Sequence, residues 1–579
     1  MHRYCFALLL SAASIPAFAT ALEVGGEHAW DTPPASADLS WRNPGYPLKR
    51  AAITRFQPLA PERVQAALRA NAGGKPKFLT IGLERATASE ADAASAALQW
   101  LPAPDGGYTA RLEVESPEAK ALRSGLAFHA LPDAATLRFA GDDGVIEEVV
   151  TGALANTLLA AGAVYWSPAT EGSRQSIEIH LPAGVDPQWT RVTLPLVSHL
   201  FVSPRGDLSL AKIGESGACN INASCVNATT TPGYENAKNA VARLLIQSGG
   251  SAGFCTGTLL NDTDNSTQVP LLFGAAHCVN SASEAAGVTT FWFYESTSCG
   301  VVDIKPAARQ VSGGATLLYS NDGSDVSLVR MNNAPPGGAF YSGWSSAALS
   351  NGATVQVLHH PQGDVLKFSQ GIGRGVGPST NASGSFHKVS YSDGTTEGGS
   401  SGSGLLTYDN SQFVLRGGLL GGTASCANAG NVNNSGNSDD FSRLDLEISN
   451  LQPFLSPTTS QPPSNIDYTG AWSNAAQSGW GLVVIRGSTG VYAMYIYHYD
   501  QDSTPGWYLS AGNLSGTNYN AGLLAFTGPW FGINPFNPAG VGSRNAGNLQ
   551  VNFTSATTAT INFTIDGRTV STSLGKLTF

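Results

Sequence analysis

Charge is scarce in this chain of 579 residues, because only 13% of them are Asp, Glu, Lys or Arg, against about a quarter in an average soluble protein. The net charge is −10 and no run of basic residues is present, so nucleic acid is not expected as a partner. The scarcity is uneven, because residues 22–212 hold 17 of the 32 basic residues and residues 213–579 hold only 14. Regions of different composition are therefore indicated.

Long hydrophobic runs are also missing. No window of 18 apolar residues occurs, so no membrane span and no membrane partner are expected. A short apolar run, Cys5–Ala13, follows Arg3 and precedes a small-x-small cleavage site at Ala17–Ala19. This order is typical of a secretory signal peptide. We assign residues 1–21 to the signal, with Ala19–Ala21 as a second cleavage site, and expect a secreted, extracellular protein.

Cysteine is absent from residues 22–212, and six of the seven cysteines lie between positions 219 and 426. An even number of cysteines in an exported protein predicts three disulfides, although spacing alone leaves 15 pairings open. No CxxC or HxxxH spacing is present, so no metal site is expected. The six residues are Cys219, Cys225, Cys255, Cys278, Cys299 and Cys426.

The cysteine-free block, residues 22–212, combines helical and strand-like patterns. Ala-rich stretches at Pro61–Ala72 and Ser89–Leu98 predict helices. Apolar runs predict strands at Thr136–Phe139, Val145–Val150, Ser176–Leu181 and Thr190–Leu194. The separate charge balance indicates a mixed α/β pro-region, and the alternative is a permanent N-terminal domain.

Residues 213–456 repeat short apolar runs between Gly, Asn and Ser turns, which predicts an all-β barrel or sandwich. The Pro-rich segment 457–465 predicts an extended linker. Residues 466–579 form a further β-rich module, as the alternation in Val491–Tyr499 indicates. Its aromatic residues would bind a polysaccharide or protein if exposed, whereas they would fill a small β core if buried.

Two positions in the cysteine-rich block suit general-base chemistry. His277 follows an apolar strand-like run and adjoins Cys278, so a disulfide would hold it rigidly. Asp325 opens the strand-like run Val326–Met331, where a partly buried carboxylate can orient an imidazole. Taken singly, both are more often structural: a histidine beside a cystine, and an aspartate at the end of a turn.

A third segment, residues 397–404, surrounds Ser400 and Ser401 with glycines. Glycines let the backbone turn sharply, so that N–H groups can converge on an oxyanion. By itself the octet would be read as a flexible Gly/Ser linker. Its occurrence after the histidine and the aspartate, within one cysteine-rich β region, favours the catalytic interpretation.

The three segments together resemble the trypsin-like serine proteases, and the closer match is to the bacterial lysyl endopeptidases. The resemblance covers about residues 214–455. The segments that carry it are Gly-Ala-Ala-His-Cys at 274–278, Ser-Asp-Val-Ser-Leu at 324–328, Gly-Ser-Ser-Gly-Ser at 399–403, and further matches at Gly214–Asn220, His359–Pro361 and Ser438–Arg443.

The resemblance implies a trypsin-like double β-barrel and a secreted serine endopeptidase that works through an acyl-enzyme. His277 would be the general base, Asp325 its orienting carboxylate and Ser401 the nucleophile, with the N–H groups of Gly399 and Ser401 as the oxyanion hole. We expect no cofactor, a monomer, and protein or peptide substrates. The alternative is a secreted binding or adhesion protein with an inactive protease-like domain, against which the intact His, Asp and Ser argue.

The family's disulfide pattern maps onto all six cysteines. It implies the pairs Cys219–Cys426, Cys225–Cys299 and Cys255–Cys278. The last pair would close the loop just before the general base, so reduction should cost activity as well as stability.

The resemblance also implies a preference for a basic residue before the scissile bond. Asp439 matches the family's carboxylate, which would stabilise a desolvated ammonium or guanidinium group. The alternative is an exposed acidic turn made by Asp439 and Asp440. Leu420 stands where lysyl and glutamyl relatives carry a histidine, which argues against Glu specificity and leaves the choice between Lys and Arg open.

Two further expectations concern maturation and the nucleophile itself. Ser400 is neutral where animal relatives carry an aspartate, so activation should not depend on an ion pair with a new N-terminus. The block 22–212 would then act as a folding aid or inhibitor, with self-processing after Lys212. A competing G-x-S-x-G register would make Ser400 the nucleophile of an α/β-hydrolase, but no helix-like pattern follows it.

Overall fold

The computed structural model describes residues 21–30, 38–71, 79–87, 98–159, 164–205, 215–228, 230–264, 266–301, 303–456, 468–486, 491–499, 503–512, 514–515, 517–530, 532, 537–555 and 557–577. The expected linker 457–465 and nearly all of the signal peptide therefore lie outside the described residues. Within these ranges no helix is long and apolar enough to cross a membrane.

In its described residues, the N-terminal block, residues 22–212, contains thirteen strands and two α-helices. The strands are β1 (Glu23–Val24), β2 (Glu27–His28), β3 (Ala52–Arg55), β4 (Leu79–Ala86), β5 (Leu101–Pro102), β6 (Tyr108–Glu115), β7 (Ala121–Ala130), β8 (Thr136–Ala140), β9 (Ile146–Thr151), β10 (Tyr165–Trp166), β11 (Thr170–Glu171), β12 (Arg174–Leu181) and β13 (Arg191–Leu200). The helices are α1 (Pro61–Asn71) and α2 (Gly152–Leu159).

The mixed composition of this block follows the sequence pattern closely. The helix predicted at Pro61–Ala72 is α1, and the four predicted strands coincide with β8, β9, β12 and β13. The second predicted helix, Ser89–Leu98, lies almost entirely outside the described residues. Strands β3, β6, β12, β8 and β9 form one sheet, and the apolar faces of β6 and β12 contribute Leu112, Val114, Ile177 and Ile179 to a buried core.

In its described residues, the cysteine-rich block 213–456, called the catalytic block below, contains sixteen strands and three α-helices. The strands are β14 (Ile221–Asn222), β15 (Val241–Ser248), β16 (Ser251–Leu260), β17 (Leu271–Gly274), β18 (Thr289–Trp292), β19 (Arg309–Val311), β20 (Ala315–Asn321), β21 (Val326–Met331), β22 (Phe340–Tyr341), β23 (Gly343–Ser345), β24 (Thr354–His359), β25 (Lys367–Pro378), β26 (Ser385–Asp393), β27 (Gly404–Asp409), β28 (Gln412–Gly422) and β29 (Asp439–Phe441). The helices are α3 (Tyr234–Asn239), α4 (Ala282–Ala286) and α5 (Leu444–Leu455).

The second half of the catalytic block is a closed β-barrel. Strands β28, β27, β24, β25, β26 and β29 pair in this order, and β29 returns to pair with β28. The first half is a half-barrel in which β18, β15, β16, β17, β21 and β20 follow one another. The all-β, trypsin-like fold class is thus confirmed, with one barrel closed and the other an open sheet.

The open edge of the half-barrel is covered by the N-terminal block. Strand β4 pairs antiparallel with β16, so that β10, β7, β13 and β4 continue the half-barrel sheet. The first strands of the chain pair elsewhere: β1 with β23 and β2 with β22. Backbone hydrogen bonds therefore join the two blocks at two separate edges.

The described residues of the C-terminal module form a nine-stranded antiparallel sheet that closes through pairing of its fourth and sixth strands. Trp472 is 1% exposed and fills its core, whereas Trp507 and Trp530 are 47% and 67% exposed. The strands are β30 (Gly470–Ser473), β31 (Gly481–Arg486), β32 (Tyr492–Tyr499), β33 (Pro505–Gly512), β34 (Leu514–Ser515), β35 (Asn518–Thr527), β36 (Gly542–Phe553), β37 (Thr558–Ile565) and β38 (Arg568–Lys576).

Candidate active site

The candidate general base lies directly after a buried strand. His277 follows β17, whose four residues are all buried, and its side chain is 15% exposed. The next residue, Cys278, is bonded to Cys255 of β16. A strand end and a disulfide thus fix the position of this imidazole, as a general base requires.

The candidate orienting carboxylate contacts both the ring and the backbone of His277. Asp325 Oδ2 lies 2.8 Å from His277 Nδ1, and Asp325 Oδ1 accepts the His277 backbone N–H at 2.9 Å. The carboxylate side chain is 3% exposed. Asp325 has a φ of +55°, a left-handed conformation that is costly for a residue with a side chain and concentrates at functional sites.

The candidate nucleophile lies in a loop that packs against the loop of the base. Ser401 is fully buried, and its carbonyl oxygen accepts the N–H of Thr256 at 2.8 Å. A Cβ on Gly402 would lie 3.0 Å from Ala275 N, two residues before His277. Ser401 Oγ and His277 Nε2 are both buried, and neither has a hydrogen-bond partner among the described residues.

The turn before Ser401 leaves two backbone donors available. Gly399 has a φ of +92°, and a Cβ there would lie 2.7 Å from the carbonyl oxygen of His360. The N–H of Ser400 donates to the carbonyl oxygen of Glu397 at 3.0 Å, whereas the N–H groups of Gly399 and Ser401 have no backbone acceptor among the described residues. These two are the donors that the resemblance assigns to an oxyanion hole.

A strand follows the candidate nucleophile. Residues after Ser401 form β27, whereas an α/β-hydrolase nucleophile elbow leads into a helix. The Ser400 hydroxyl is moreover already hydrogen-bonded, because its Oγ lies 2.8 Å from His359 Nδ1. The geometry therefore favours Ser401 over Ser400 as the nucleophile.

All six cysteines form disulfides in the three pairs that the resemblance implies: Cys219–Cys426, Cys225–Cys299 and Cys255–Cys278. The first pair joins the start of the catalytic block to the segment after β28. The third joins β16 to the residue after the candidate base.

The candidate specificity carboxylate is buried in a strand of the closed barrel. Asp439 begins β29 and is fully buried. Its Oδ2 accepts the hydroxyl of Thr396, and a Cβ on Gly422 would lie 2.5 Å from its Oδ1. A side chain at position 422 would therefore cover the carboxylate. Burial, together with the nearby Asp439 carboxylate, raises the pKa of the Tyr391 phenol well above its usual value.

The adjacent Asp440 has a different role. Its Oδ1 accepts from Lys388 Nζ at 2.6 Å, and this ion pair is mostly buried. The two aspartates lie in a strand and are both buried, which contradicts the alternative of an exposed acidic turn. Leu420, which stands in the place of the family's histidine, is buried in β28 with 2% exposure.

Sequence reasoning missed two hydroxyl side chains at the site. Thr396 immediately precedes the Gly/Ser octet and bonds Asp439 across 43 positions. Thr256 donates its hydroxyl to the carbonyl oxygen of Gly399 at 2.9 Å. Neither residue belongs to a motif, although its position next to Cys255 or to the octet offered a local signal.

Comparison with known proteins gives a consistent picture. Residues 213–442 match the family model described as "Lysyl endopeptidase, C-terminal domain", and residues 55–201 match "Lysyl endopeptidase N-terminal domain". A lysyl endopeptidase of Pseudomonas aeruginosa is 34% identical over 466 residues, which cover 78% of this chain and 98% of that protein.

More distant similarities were also found. A secreted RxLR effector protein of Plasmopara viticola is 26% identical over 268 residues, or 43% of this chain and 63% of that protein. Among solved structures, the active form of the Rv3671c protease from M. tuberculosis has a TM-score of 0.27 at 17% identity, covering 41% of this chain and 90% of that one.

Proposed function

The chain belongs to the lysyl endopeptidase family and is a serine endopeptidase, and from this premise we propose that it is a secreted enzyme that cleaves after lysine through an acyl-enzyme on Ser401. The observation that carries the proposal is the coupling of His277 to Asp325 at 2.8 Å, beside a loop that holds Ser401. Family membership supports an active enzyme over the alternative of an inactive binding protein.

The proposed reaction uses only groups of this chain and water. Ser401 Oγ attacks the scissile carbonyl while its proton passes to His277 Nε2, and Asp325 stabilises the resulting imidazolium. The oxyanion accepts from the N–H groups of Gly399 and Ser401. His277 then protonates the leaving amine, and water, activated by the same imidazole, hydrolyses the acyl-enzyme and restores the serine.

The proposed preference for lysine rests on Asp439. A buried carboxylate that is bonded to Thr396 and lies beside Gly422 suits a single desolvated ammonium group. Leu420 in place of a histidine leaves arginine as a second substrate. Comparing kcat/KM for matched peptides with Lys, Arg or Glu before the scissile bond tests this assignment, and a preference for Glu would contradict it.

We further propose that the N-terminal block inhibits the enzyme until it is removed. Strand β4 runs antiparallel to β16, with Leu83 opposite Ser251 and Leu79 opposite Phe254. Its N-terminal end therefore points toward Thr256, whose N–H holds Ser401. The side chain of Leu79 lies 3.5 Å from the place of a Cβ on Gly398. An extended peptide on this edge would compete with β4 for the same backbone groups.

The test of this inhibition uses the intact chain. Leu79 is 1% exposed, whereas Leu48 is 52% exposed on the same block. Leu79→Asp should detach β4 and raise the activity of the intact chain, and Leu48→Asp should not. An intact wild-type chain as active as the processed enzyme would contradict the proposal. The expected cleavage after Lys212 lies outside the described residues, so sequencing of the mature N-terminus tests it separately.

For the C-terminal module we propose a polysaccharide or protein ligand that binds exposed aromatic rings. Tyr495 lies 6.2 Å from Trp507, and Trp507 stacks on Phe526 at 5.4 Å. Tyr497 and Trp507 are both about half exposed, and contiguous exposed apolar surface often marks a binding site. Retention of the protein on insoluble polysaccharide, compared with the Trp507→Ala variant, tests this.

A further inference from the structure

Ser400, the residue before the nucleophile, belongs to a buried chain of hydrogen bonds. Its Oγ lies 2.8 Å from His359 Nδ1, and His359 Nε2 lies 3.0 Å from Ser369 Oγ. Ser369 Oγ donates to the carbonyl oxygen of Thr395 at 2.9 Å. The side chains of Ser400, His359 and Ser369 are fully buried, so this series of hydrogen bonds is shielded from water.

The direction of each hydrogen bond in this chain can be assigned from the donors available. The single hydrogen of Ser369 goes to Thr395, so Ser369 Oγ must accept from His359 Nε2–H. A neutral imidazole with its proton on Nε2 is an acceptor at Nδ1. Ser400 Oγ therefore donates to Nδ1, and it accepts the N–H of Glu397 at 3.2 Å.

This series of hydrogen bonds connects the nucleophile loop to rigid strands of the closed barrel. His359 is the last residue of β24 and Ser369 lies in β25, and these two strands pair along their length. The loop itself has no strand pairing between Thr395 and Ser403. Ser400 separates Gly399 from Ser401, whose N–H groups are the proposed oxyanion donors. Holding Ser400 therefore fixes the direction of both donors.

A second anchor reaches the same loop from the start of the catalytic block. Glu397 Oε1 accepts from Gly217 N at 3.0 Å and from Asn220 Nδ2 at 2.9 Å. The backbone carbonyl of Glu397 accepts from Ser400 N. The side chain of Ser400 is thus held by a hydrogen bond on each side, one from the Glu397 N–H and one shared with His359 Nδ1.

We propose that His359, at the end of strand β24 of the closed barrel, is a positioning residue. Its Nδ1 accepts a hydrogen bond from the Ser400 hydroxyl and thereby keeps the oxyanion hole formed. The inference rests on the proposed Ser401 mechanism and explains how a neutral residue before the nucleophile can hold an active turn. Oxyanion donors must be oriented toward the developing oxyanion before the reaction begins. If the turn were released from His359, kcat should therefore fall more than substrate affinity.

The test compares Ser400→Ala with Ser403→Ala in the processed enzyme. Both serines are fully buried, but the Ser403 hydroxyl has no partner among the described residues. With a lysyl peptide substrate, Ser400→Ala should lower kcat about 10- to 100-fold, a part of what one lost oxyanion donor costs, and leave KM within about three-fold of wild type. Ser403→Ala should change neither constant.

Two inhibitors separate positioning from general damage. A peptide aldehyde ending in lysinal forms a tetrahedral adduct that uses the oxyanion hole, whereas butylamine occupies only the specificity pocket. Ser400→Ala should weaken the aldehyde by the same factor as kcat and leave butylamine unchanged. His359→Leu should reproduce this pattern, and His359→Asn, whose amide oxygen can replace Nδ1 as the acceptor, should restore part of the rate.

The outcomes distinguish this inference from the proposed function. If Ser400→Ala and His359→Leu both keep kcat within about three-fold of wild type, the positioning role is wrong, while an inactive Ser401→Ala would still support the mechanism. Equal losses of butylamine and aldehyde affinity would also overturn it, because they would indicate a collapsed pocket. If Ser400→Ala does not fold, the two His359 variants decide by the same measurements.

Discussion

Replacing Asp325 by asparagine tests the orientation of the general base more sharply than removing the base. Asp325 Oδ1 accepts the backbone N–H of His277, and Oδ2 lies 2.8 Å from Nδ1. In Asp325→Asn the amide oxygen must stay on the backbone N–H, because an NH2 group cannot accept from it. The NH2 group then faces Nδ1, which forces the imidazole proton onto Nε2, where the Ser401 proton should go.

The expected loss is large because the tautomer is wrong while the geometry is preserved. The same substitution lowers kcat about 10⁴-fold in a serine protease of this mechanism, which corresponds to about 5 kcal/mol of transition-state stabilisation. KM and the melting temperature should change little, since asparagine has the shape of aspartate. The assay is kcat for a lysyl peptide amide, after the N-terminal block has been removed by the wild-type enzyme.

The matched control is Asp322→Asn. Asp322 lies three residues earlier, is exposed, and has its side-chain contact with Asn280. This control changes the net charge by the same amount and should keep wild-type activity. A kcat of Asp325→Asn within ten-fold of wild type would refute the assigned role, and so would an equal loss in the control.

Three other perturbations have defined outcomes. Asp439→Asn should lower kcat/KM for lysyl peptides about 100-fold or more, because the buried charge pair with the substrate ammonium would lose one partner. Asp440→Asn should keep kcat/KM within about three-fold of wild type. A larger loss in Asp440→Asn than in Asp439→Asn would contradict the assignment of Asp439 to the specificity pocket. Replacing both cysteines of Cys255–Cys278 by serine should lower the free energy of unfolding by about 3 kcal/mol and should also lower kcat. The same change at Cys225–Cys299 should lower the free energy of unfolding and leave kcat unchanged. Denaturant titration and steady-state kinetics measure the two quantities. Burial, aided by Arg243, lowers the pKa of His360 to about 3, so the unfolded chain binds a proton that the folded chain does not. The contribution of His360 to the free energy of unfolding should therefore fall by about 2 kcal/mol between pH 6.5 and 4.5; His360→Gln should flatten this dependence, and an unchanged slope would refute it.

The candidate catalytic residues could be picked out from sequence because the chemistry proposed for them constrains short segments. His277 adjoins a cystine, Asp325 opens a strand and Ser401 needs glycines around it, and each requirement leaves a local pattern. The hydroxyl of Thr396 on Asp439 leaves no such pattern, because the two residues meet only when β29 pairs with its neighbours in the barrel.

Pairing between distant strands was beyond the sequence argument for the same reason. The resemblance implied two barrels, but the first is a half-barrel in which the N-terminal half of β16 pairs with β4 from the N-terminal block. Any strand of suitable register can extend an open edge, so local alternation in Leu79–Ala86 predicts a strand and not its partner. The chain from Ser400 through His359 to Ser369 likewise depends on the pairing of β24 with β25.

Cleavage after lysine through Ser401 can be tested by mapping the cleavage sites in a mixture of unfolded proteins with mass spectrometry. The processed wild-type enzyme and Ser401→Ala would be compared under the same conditions. We expect new C-termini at lysine, with arginine as the only other frequent residue, and no new termini with Ser401→Ala. Cleavage after acidic or apolar residues, or equal cleavage by the variant, would contradict it.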